Sequence, residues 1–335
     1  MSTDLATWLA AVRTGVAAAG VDAGAFGQHV SVLTTTGSTN DDVARAAFDG
    51  APEGYTVIAG EQTAGRGRRG AAWHSPAARG LYLSTLLRPD RWTAVRTDPA
   101  SPASTLVTLM AGVAVVSAIG DVCQSPATEL KWPNDIMVRR GRPSAVGLRP
   151  SNGAVRGATP AFVHETVGPV LRTRPDDDHA SLAGPPWRKL GGILAEGASE
   201  GGTLRTVVLG IGVNLHRCEA PADIAARMIT LDDLMPTGVI TPATLSSLVS
   251  AVLRHLRRGV DLLTRDAVED VRTRWRRHAP SVEGTAVRWH ALGETRRGRA
   301  AGIDDTGALR VRLDGGAHVT VHGGEIEWHL EDREA

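Results

Sequence analysis

Glu61-Gln62-Thr63-Ala64-Gly65-Arg66-Gly67-Arg68-Arg69-Gly70 follows Tyr55-Thr56-Val57-Ile58-Ala59, a short β-rich run that reads as a buried strand. Three glycines are interspersed with three arginines. Glycine permits positive φ and lets a ligand approach the backbone. Arginine offers a fixed fork of donors suited to carboxylate and phosphate oxygens. A mobile loop of this composition could close over an anion and shield it from water. A solvated basic loop, or an arginine cluster that contacts RNA, fits the same ten residues. Two common phosphate motifs are excluded. No Gly-Lys-Ser/Thr follows, so it is not a Walker loop. Gly65, Gly67 and Gly70 are followed by Ala71-Ala72-Trp73-His74-Ser75-Pro76, which does not start a helix, so it is not a dinucleotide fingerprint either.

Upstream, residues 4–20 read as one short helix and Val30-Ser31-Val32-Leu33 as a strand. In Gly37-Ser38-Thr39-Asn40-Asp41-Asp42, Ser38 or Thr39 can cap a helix that Gly50-Ala51-Pro52 stops. A helix start also turns free N–H groups toward a polar ligand. Downstream, Gly80 to Arg88 reads as a strand, and Leu106, Leu109, Met110, Val113, Val116 and Ile119 form the core-facing stripe of an amphipathic helix. Glu129-Leu130-Lys131-Trp132-Pro133-Asn134-Asp135-Ile136-Met137-Val138 crowds polar groups between strand residues, with Pro133 forcing a bulge or tight turn. Residues 139–188 lack periodicity and read as a long, largely disordered insertion. Lys189 to Glu196 and Leu204 to Asn214 are two strands, whose glycines at 191, 192, 210 and 212 would leave a bare sheet face for a flat ligand. Thr241-Pro242 begins a helix with Leu245, Leu248, Val249, Val252, Leu253 and Leu256 on its stripe. Beyond Pro280, short β runs and turns predict a small barrel.

Composition narrows the class. The chain has 335 residues, 42% hydrophobic and 22% charged, with a formal net charge of +1. That balance gives no global field for DNA or membrane binding. Cys123 and Cys218 are too few and too far apart for a disulfide framework or metal knuckle and read as reduced thiols. The start of the chain lacks a basic-then-apolar signal, and the run from Leu106 to Ile119 is shorter than a membrane span. A cytoplasmic protein is expected. His290, His318, His322 and His329 do not fall at metal-ligand spacing.

Taken together, Gly37-Ser38-Thr39-Asn40, Gln62 to Gly70 with Trp73, Leu130 to Asp135, Lys189 to Leu194 and Gly210-Ile211-Gly212-Val213-Asn214 resemble, in order, the motifs of the biotin–protein ligases. The resemblance covers roughly residues 30–330 apart from the insertion. It implies an α/β (α+β) catalytic domain with a mixed β-sheet of the biotin/lipoate ligase type over residues 1–280. A small SH3-like β-barrel would follow over 281–335. It also implies ATP-dependent activation of biotin as biotinyl-5′-AMP, with Mg2+, and transfer to a lysine of a biotin carboxyl carrier protein.

By the same resemblance, Ser38, Thr39, Asn40 and Gln62 would hold the biotin head group. Arg66, Gly67 and Arg68 would hold the carboxylate and α-phosphate, and Arg69 the leaving pyrophosphate. Lys189 would bridge carboxylate and phosphate. Trp73 would cover the adenine, and Asn134 and Asn214 would bond the nucleotide. Asp135 would orient the attacking lysine or help place the metal. Regulatory members carry an N-terminal DNA-binding domain, for which the residues before the core are too few, so no DNA partner is expected; a homodimer stays open. Lipoate ligases share the fold and the adenylation logic but expect an Arg-Arg-x-x-Gly-Gly-Gly-x-Val-x-His pattern, absent here. A non-enzymatic nucleic-acid-binding protein would need a basic face that the net charge does not support.

Overall fold

A computed structural model describes residues 4–92, 103–123, 128–139, 187–201, 203–291, 294–322 and 326–329. Its centre is a seven-stranded mixed sheet with strand order β1-β2-β3-β7-β6-β5-β4. The strands are β1 (Val30–Leu33), β2 (Thr56–Ala59), β3 (Gly80–Leu87), β4 (Thr128–Lys131), β5 (Asp135–Arg139), β6 (Trp187–Glu200) and β7 (Thr203–Asn214). Only β1 and β2 run parallel, joined through the Thr39–Phe48 helix; every other neighbouring pair is antiparallel.

The period-2 alternation of strands sorts side chains to two faces. Leu81, Leu83 and Leu87 of β3, Ile193 of β6, and Val207, Leu209, Ile211 and Val213 of β7 enter the main core. The helices Leu5–Ala19 and Ala103–Cys123 lie on that face, and Pro242–Thr264 packs across both of them. Thr241 caps the last of these, accepting the Thr244 N–H at 3.1 Å. On the opposite face the Thr39–Phe48 helix packs Val43 against Val57, Leu86 and Val208, and the rest of that face is left to the cleft described below.

The Ala103–Cys123 helix departs from the amphipathic expectation. Leu106, Val107, Leu109, Met110, Ala111, Val113, Ala114, Val115 and Val116 are all buried, so it has no solvent stripe over these turns. Packed between the sheet, the Pro242–Thr264 helix and the Val268–His278 helix, it is apolar all round. By length and composition Thr105–Cys123, with a mean hydropathy of 2.1, could cross a membrane, but 72% of it is buried within the fold.

The five later strands, β8 (Ala286–Ala291), β9 (Glu294–Ile303), β10 (Leu309–Arg312), β11 (His318–Val321) and β12 (Ile326–His329), form a small antiparallel sheet in the order β11-β10-β9-β8-β12. Val287, Trp289, Leu309 and Val311 join the same core as the large sheet. The fully buried Trp132, in the β4–β5 turn, donates its indole N–H to Gly307 O in the β9–β10 turn at 2.9 Å. The expected insertion lies, in residues 140–186, outside the described residues. Its flanks are more ordered than the sequence implied: Arg139 closes β5 opposite Trp187, and Trp187-Arg188 open β6.

Candidate active site

The cleft has a volume of about 1090 Å³, and every residue singled out in the sequence lines it: Ser38, Thr39, Asn40, Gln62, Arg66, Gly67, Arg68, Arg69, Trp73, Asn134, Asp135, Lys189 and Asn214. Its floor is the outer face of β6 and β7, where Gly192, Gly210 and Gly212 replace the bulky residues of the core face, with Ser84 of β3 buried beside them.

One wall is the start of the Thr39–Phe48 helix. Ser38 occupies the cap position with extended backbone but makes no capping bond through its side chain. The Thr39 N–H goes instead to Gln62 Oε1 at 2.9 Å, so the Gly/Arg stretch supplies the cap from across the sheet. Thr39 Oγ1 lies 3.0 Å from the same oxygen and 2.7 Å from Ser84 Oγ. Ser84 donates to Asn40 Oδ1 at 2.5 Å, and Asn40 Nδ2 donates to Glu196 Oε2 at 2.5 Å. Thr39, Asn40 and Ser84 are all buried, and this row satisfies their polar atoms.

The Gly/Arg stretch folds as a tight hairpin. Arg66 and Ala72 form a β-bridge, and the Trp73 N–H reaches Gly65 O at 2.9 Å. A side chain at Gly65 would meet Ser75 Oγ at 2.6 Å and Trp73 O at 2.7 Å, which is why glycine is needed there. At the tip Arg69 has φ 57°, a left-handed conformation uncommon outside glycine. Arg66 is clamped between Asp41 Oδ1 at 2.6 Å and Glu196 Oε2 at 3.1 Å. Arg68 donates to Asn134 Oδ1 at 3.3 Å. Burial lowers the Arg68 pKa, with Asp135 opposing and Arg69 adding to the shift.

The opposite wall is the β4–β5 hairpin. The Trp132–Pro133 bond is cis, and residues 132–134 make the turn. Asn134 is locked by Nδ2 to Ile193 O at 2.9 Å. Asp135 takes Lys189 Nζ on one oxygen at 2.6 Å and Lys131 Nζ on the other at 3.2 Å. Burial alone would raise its pKa, but attraction to Lys189 and Lys131 wins and the carboxylate sits below its ordinary 3.8. Asn214 donates Nδ2 to Lys189 O at 3.2 Å and Ile229 O at 3.3 Å, tying the lysine's strand to the next loop.

The bare glycine face is only partly what the sequence implied. The Trp73 ring lies on it: a side chain at Gly212 would meet the indole at 2.5 Å, and one at Gly192 at 3.3 Å. A side chain at Gly210 would meet Asn40 Oδ1 at 2.4 Å, and one at Gly191 the backbone of β7. Lys189 Nζ stands 5.3 Å from the Trp73 ring centroid, a cation–π contact. The Trp73 indole N–H is buried without a hydrogen-bond partner among the described residues. Side chains of the protein therefore cover Gly192, Gly210 and Gly212, and the β7 backbone closes on Gly191.

Two protein-family models match the chain. One, the biotin/lipoate A/B protein ligase family, covers residues 32–152, and the other, the biotin protein ligase C terminal domain, covers residues 282–328. The chain belongs to the biotin protein ligases. It is 29% identical over 310 residues to a biotin–[acetyl-CoA-carboxylase] ligase of Mycobacterium tuberculosis, covering 91% of each chain. It is 27% identical over 303 residues to the bifunctional ligase/repressor BirA of Bacillus subtilis, covering 90% of this chain and 74% of that protein. The solved biotin protein ligase of Aquifex aeolicus, in complex with biotin and ATP, superposes with a TM-score of 0.63 at 20% identity, over 90% of this chain and 99% of that one.

As a biotin protein ligase the chain has its motif residues on one cleft, though they come from the Thr39–Phe48 helix, the 61–75 hairpin, the β4–β5 turn and strands β6 and β7. Reading motifs missed four participants: Asp41, Ser84, Lys131 and Glu196. Lys131 and Asp41 lay inside quoted motifs but were given no role. Ser84 carried a signal, since with Thr85 it puts hydroxyls in the middle of a buried strand and by alternation shares a face with neither Leu83 nor Thr85, and Glu196 faces the cleft with Gly192 and Leu194 by alternation.

Proposed function

We propose that the chain is an ATP-dependent biotin–[acetyl-CoA-carboxylase] ligase that makes biotinyl-5′-AMP and passes the biotinyl group to a lysine of a biotin carboxyl carrier protein. A biotin carboxylate oxygen attacks the α-phosphorus of ATP, and the bond to pyrophosphate breaks. The carrier lysine gives one ammonium proton to solvent and attacks the acyl carbon as the amine; the C–N bond forms, the acyl C–O bond breaks, AMP leaves with that electron pair, and the nitrogen gives its second proton to solvent. Both steps load negative charge onto non-bridging oxygens, which fixed cations and N–H groups stabilise. The observation that carries the reading is the convergence of Lys189, Arg68 and Arg69 on a cleft whose other end is a wall of neutral polar groups, Ser38, Thr39, Asn40 and Gln62.

In this reading the neutral wall seats the biotin ring and the cationic end its carboxylate and the α-phosphate. Lys189 bridges the two anions and Arg69 meets the pyrophosphate. Arg66 is already clamped by two carboxylates, so its first task is to hold the hairpin, with Gly67 giving close backbone approach. Asn134 acts by holding Arg68, and Asn214 by holding the backbone of Lys189, which leaves its oxygen for the nucleotide. Trp73 slides against the nucleotide base from its seat on the glycine face.

Asp135 does not suit a resident metal. Both of its oxygens are taken by ammonium groups, and no cluster of three metal-ligating side chains occurs among the described residues. Magnesium then enters as part of the ATP substrate, held by the phosphates. Asp135 is left to receive and orient an ammonium, first that of Lys189 and then that of the incoming carrier lysine. The two free thiols, Cys123 and Cys218, fit a cytoplasmic setting. The first half-reaction is tested by biotin-dependent exchange of labelled pyrophosphate into ATP. Exchange that requires biotin and is not supported by lipoate is expected; exchange with lipoate alone would move the chain to the sister activity.

A further inference from the structure

Glu196 belongs to none of the motifs, yet it ends the hydrogen-bonded row along the biotin wall. It lies on β6, and its Oε2 accepts from both Asn40 Nδ2 at 2.5 Å and Arg66 Nη2 at 3.1 Å. We propose that Glu196 is a positioning residue that sets the donor–acceptor direction of this row and so decides which ring atoms the wall can pair with. The proposal rests on the ligase reading above.

The direction follows from counting protons. A carboxylate offers acceptors only. Asn40 must therefore turn its NH2 group to Glu196, since the reverse would set its oxygen against another acceptor. Its oxygen then faces Ser84 Oγ, 2.5 Å away, and Ser84 has to donate. The single Ser84 hydroxyl proton is now spent, so the Thr39 hydroxyl is the one donor left for both contacts of Thr39 Oγ1, with Ser84 Oγ at 2.7 Å and with Gln62 Oε1 at 3.0 Å. That spends the Thr39 proton as well. Gln62 Oε1 also accepts the Thr39 backbone N–H at 2.9 Å, and Gln62 Nε2 goes to Ser75 Oγ at 2.9 Å.

The wall then shows the cleft a defined face. Thr39 Oγ1 can only accept, and the second hydrogen on Asn40 Nδ2 can only be given. A cyclic urea, with N–H donors beside a carbonyl acceptor, is the complement of that pair. Without a carboxylate at position 196 the opposite row becomes available. A glutamine there could donate to Asn40 Oδ1; Asn40 would then donate to Ser84, Ser84 to Thr39, and Thr39 to Gln62 Oε1, already within 3.0 Å. Only part of the population would then present the right face, and apparent affinity would fall by that fraction plus the lost charge-assisted bond.

The test uses the full chain and titration calorimetry with biotin. Glu196→Gln, which keeps the shape, is expected to weaken biotin binding about tenfold or more, while kcat and the KM for ATP stay within about threefold. The melting temperature is expected to hold, because Glu196 is 42% exposed. Ser84→Ala cuts the row, so adding Glu196→Gln to it should weaken binding little further. Biotin affinity within about twofold of the parent, or free-energy effects of Glu196→Gln and Ser84→Ala that add in full, would overturn the proposal. A parent chain that binds no biotin at all would instead remove the ligase reading, and this proposal with it.

Discussion

Lys189 Nζ lies 2.6 Å from Asp135 Oδ1, while Lys131 Nζ lies 3.2 Å from the other oxygen, so one carboxylate holds two ammonium groups in the cleft. The Asp135 side chain is only 17% exposed, so this charge cluster is incompletely screened. Asp135 holds Lys189 beside Trp73, the position from which the proposed reaction has it meet a developing oxyanion.

Replacing Lys189 by alanine should therefore slow adenylate formation more than it weakens biotin binding. A preorganised cation lost from an oxyanion site costs about 2.7–4 kcal/mol, or ~10²–10³ in rate. Single-turnover kinetics with saturating biotin and ATP measure it, and a rate near that of the parent would exclude this role.

The Asp135 cluster also gives stability a defined pH dependence. Its folded-state pKa lies below the ordinary 3.8, burial opposing and the two lysines prevailing. The stabilisation is thus fully present above that ordinary value and is lost as pH falls through the lower, folded one. Asp135→Asn is expected to lose about 1–3 kcal/mol near neutral pH, where two half-buried ammonium groups lose their charged acceptor. Its melting temperature should approach that of the parent in acid. A gap that stays constant down to the acid limit would show that Asp135 is not ionised in the folded protein.

Arg68 sits at the closed end of the Gly/Arg hairpin, within 3.3 Å of Asn134 across the cleft. Arg68→Gly breaks that latch, and biotinyl-AMP should then escape and label bystander lysines. Blotting for biotin after incubation with an unrelated protein reads the outcome. Labelling confined to the carrier lysine would mean that Arg68 does not retain the intermediate.

Two glycine-to-alanine changes should behave in opposite ways. At Gly210 an added carbon meets Asn40 Oδ1 at 2.4 Å, so Gly210→Ala is expected to reduce biotin affinity strongly. At Gly120, inside the Ala103–Cys123 helix, it meets nothing within 4 Å, so Gly120→Ala should raise stability by about 0.8–1.0 kcal/mol and leave biotin binding alone. Titration and thermal melts of the pair check this.

Deleting Arg142 to Pro185 should leave a folded and active enzyme. Arg139 and Trp187 are register partners on adjacent antiparallel strands, so a few residues can join them. Loop closure scales as (3/2)RT ln n, so a tenfold shorter connection favours the folded state by about 2 kcal/mol at most. If the two half-reactions are measured separately, a selective loss of transfer to the carrier would instead assign the segment to docking.

Much of this molecule was legible in the sequence because its strands alternate and its motifs are local. Tyr55–Ala59, Gly80–Arg88, Lys189–Glu196 and Leu204–Asn214 became β2, β3, β6 and β7 with small end shifts. The Ala103–Cys123 helix was placed but its environment misread, since a stripe at three and four does not reveal that the intervening residues are buried as well. The partners of site residues were harder. Asn40 and Glu196 are 156 residues apart, and alternation puts Glu196 on the cleft face without naming the partner it meets there. The glycines at 192 and 212 correctly marked a flat group against the sheet, but that group is the protein's own Trp73.

The most direct test of the central claim is the intact mass of an isolated biotin carrier domain after incubation with the chain, biotin and ATP. The carrier is expected to gain the mass of one biotinyl group, to require both biotin and ATP, and to gain nothing when its acceptor lysine is replaced by arginine. A carrier mass that stays unchanged with an active, folded preparation, or that rises with lipoate in place of biotin, would contradict the assignment.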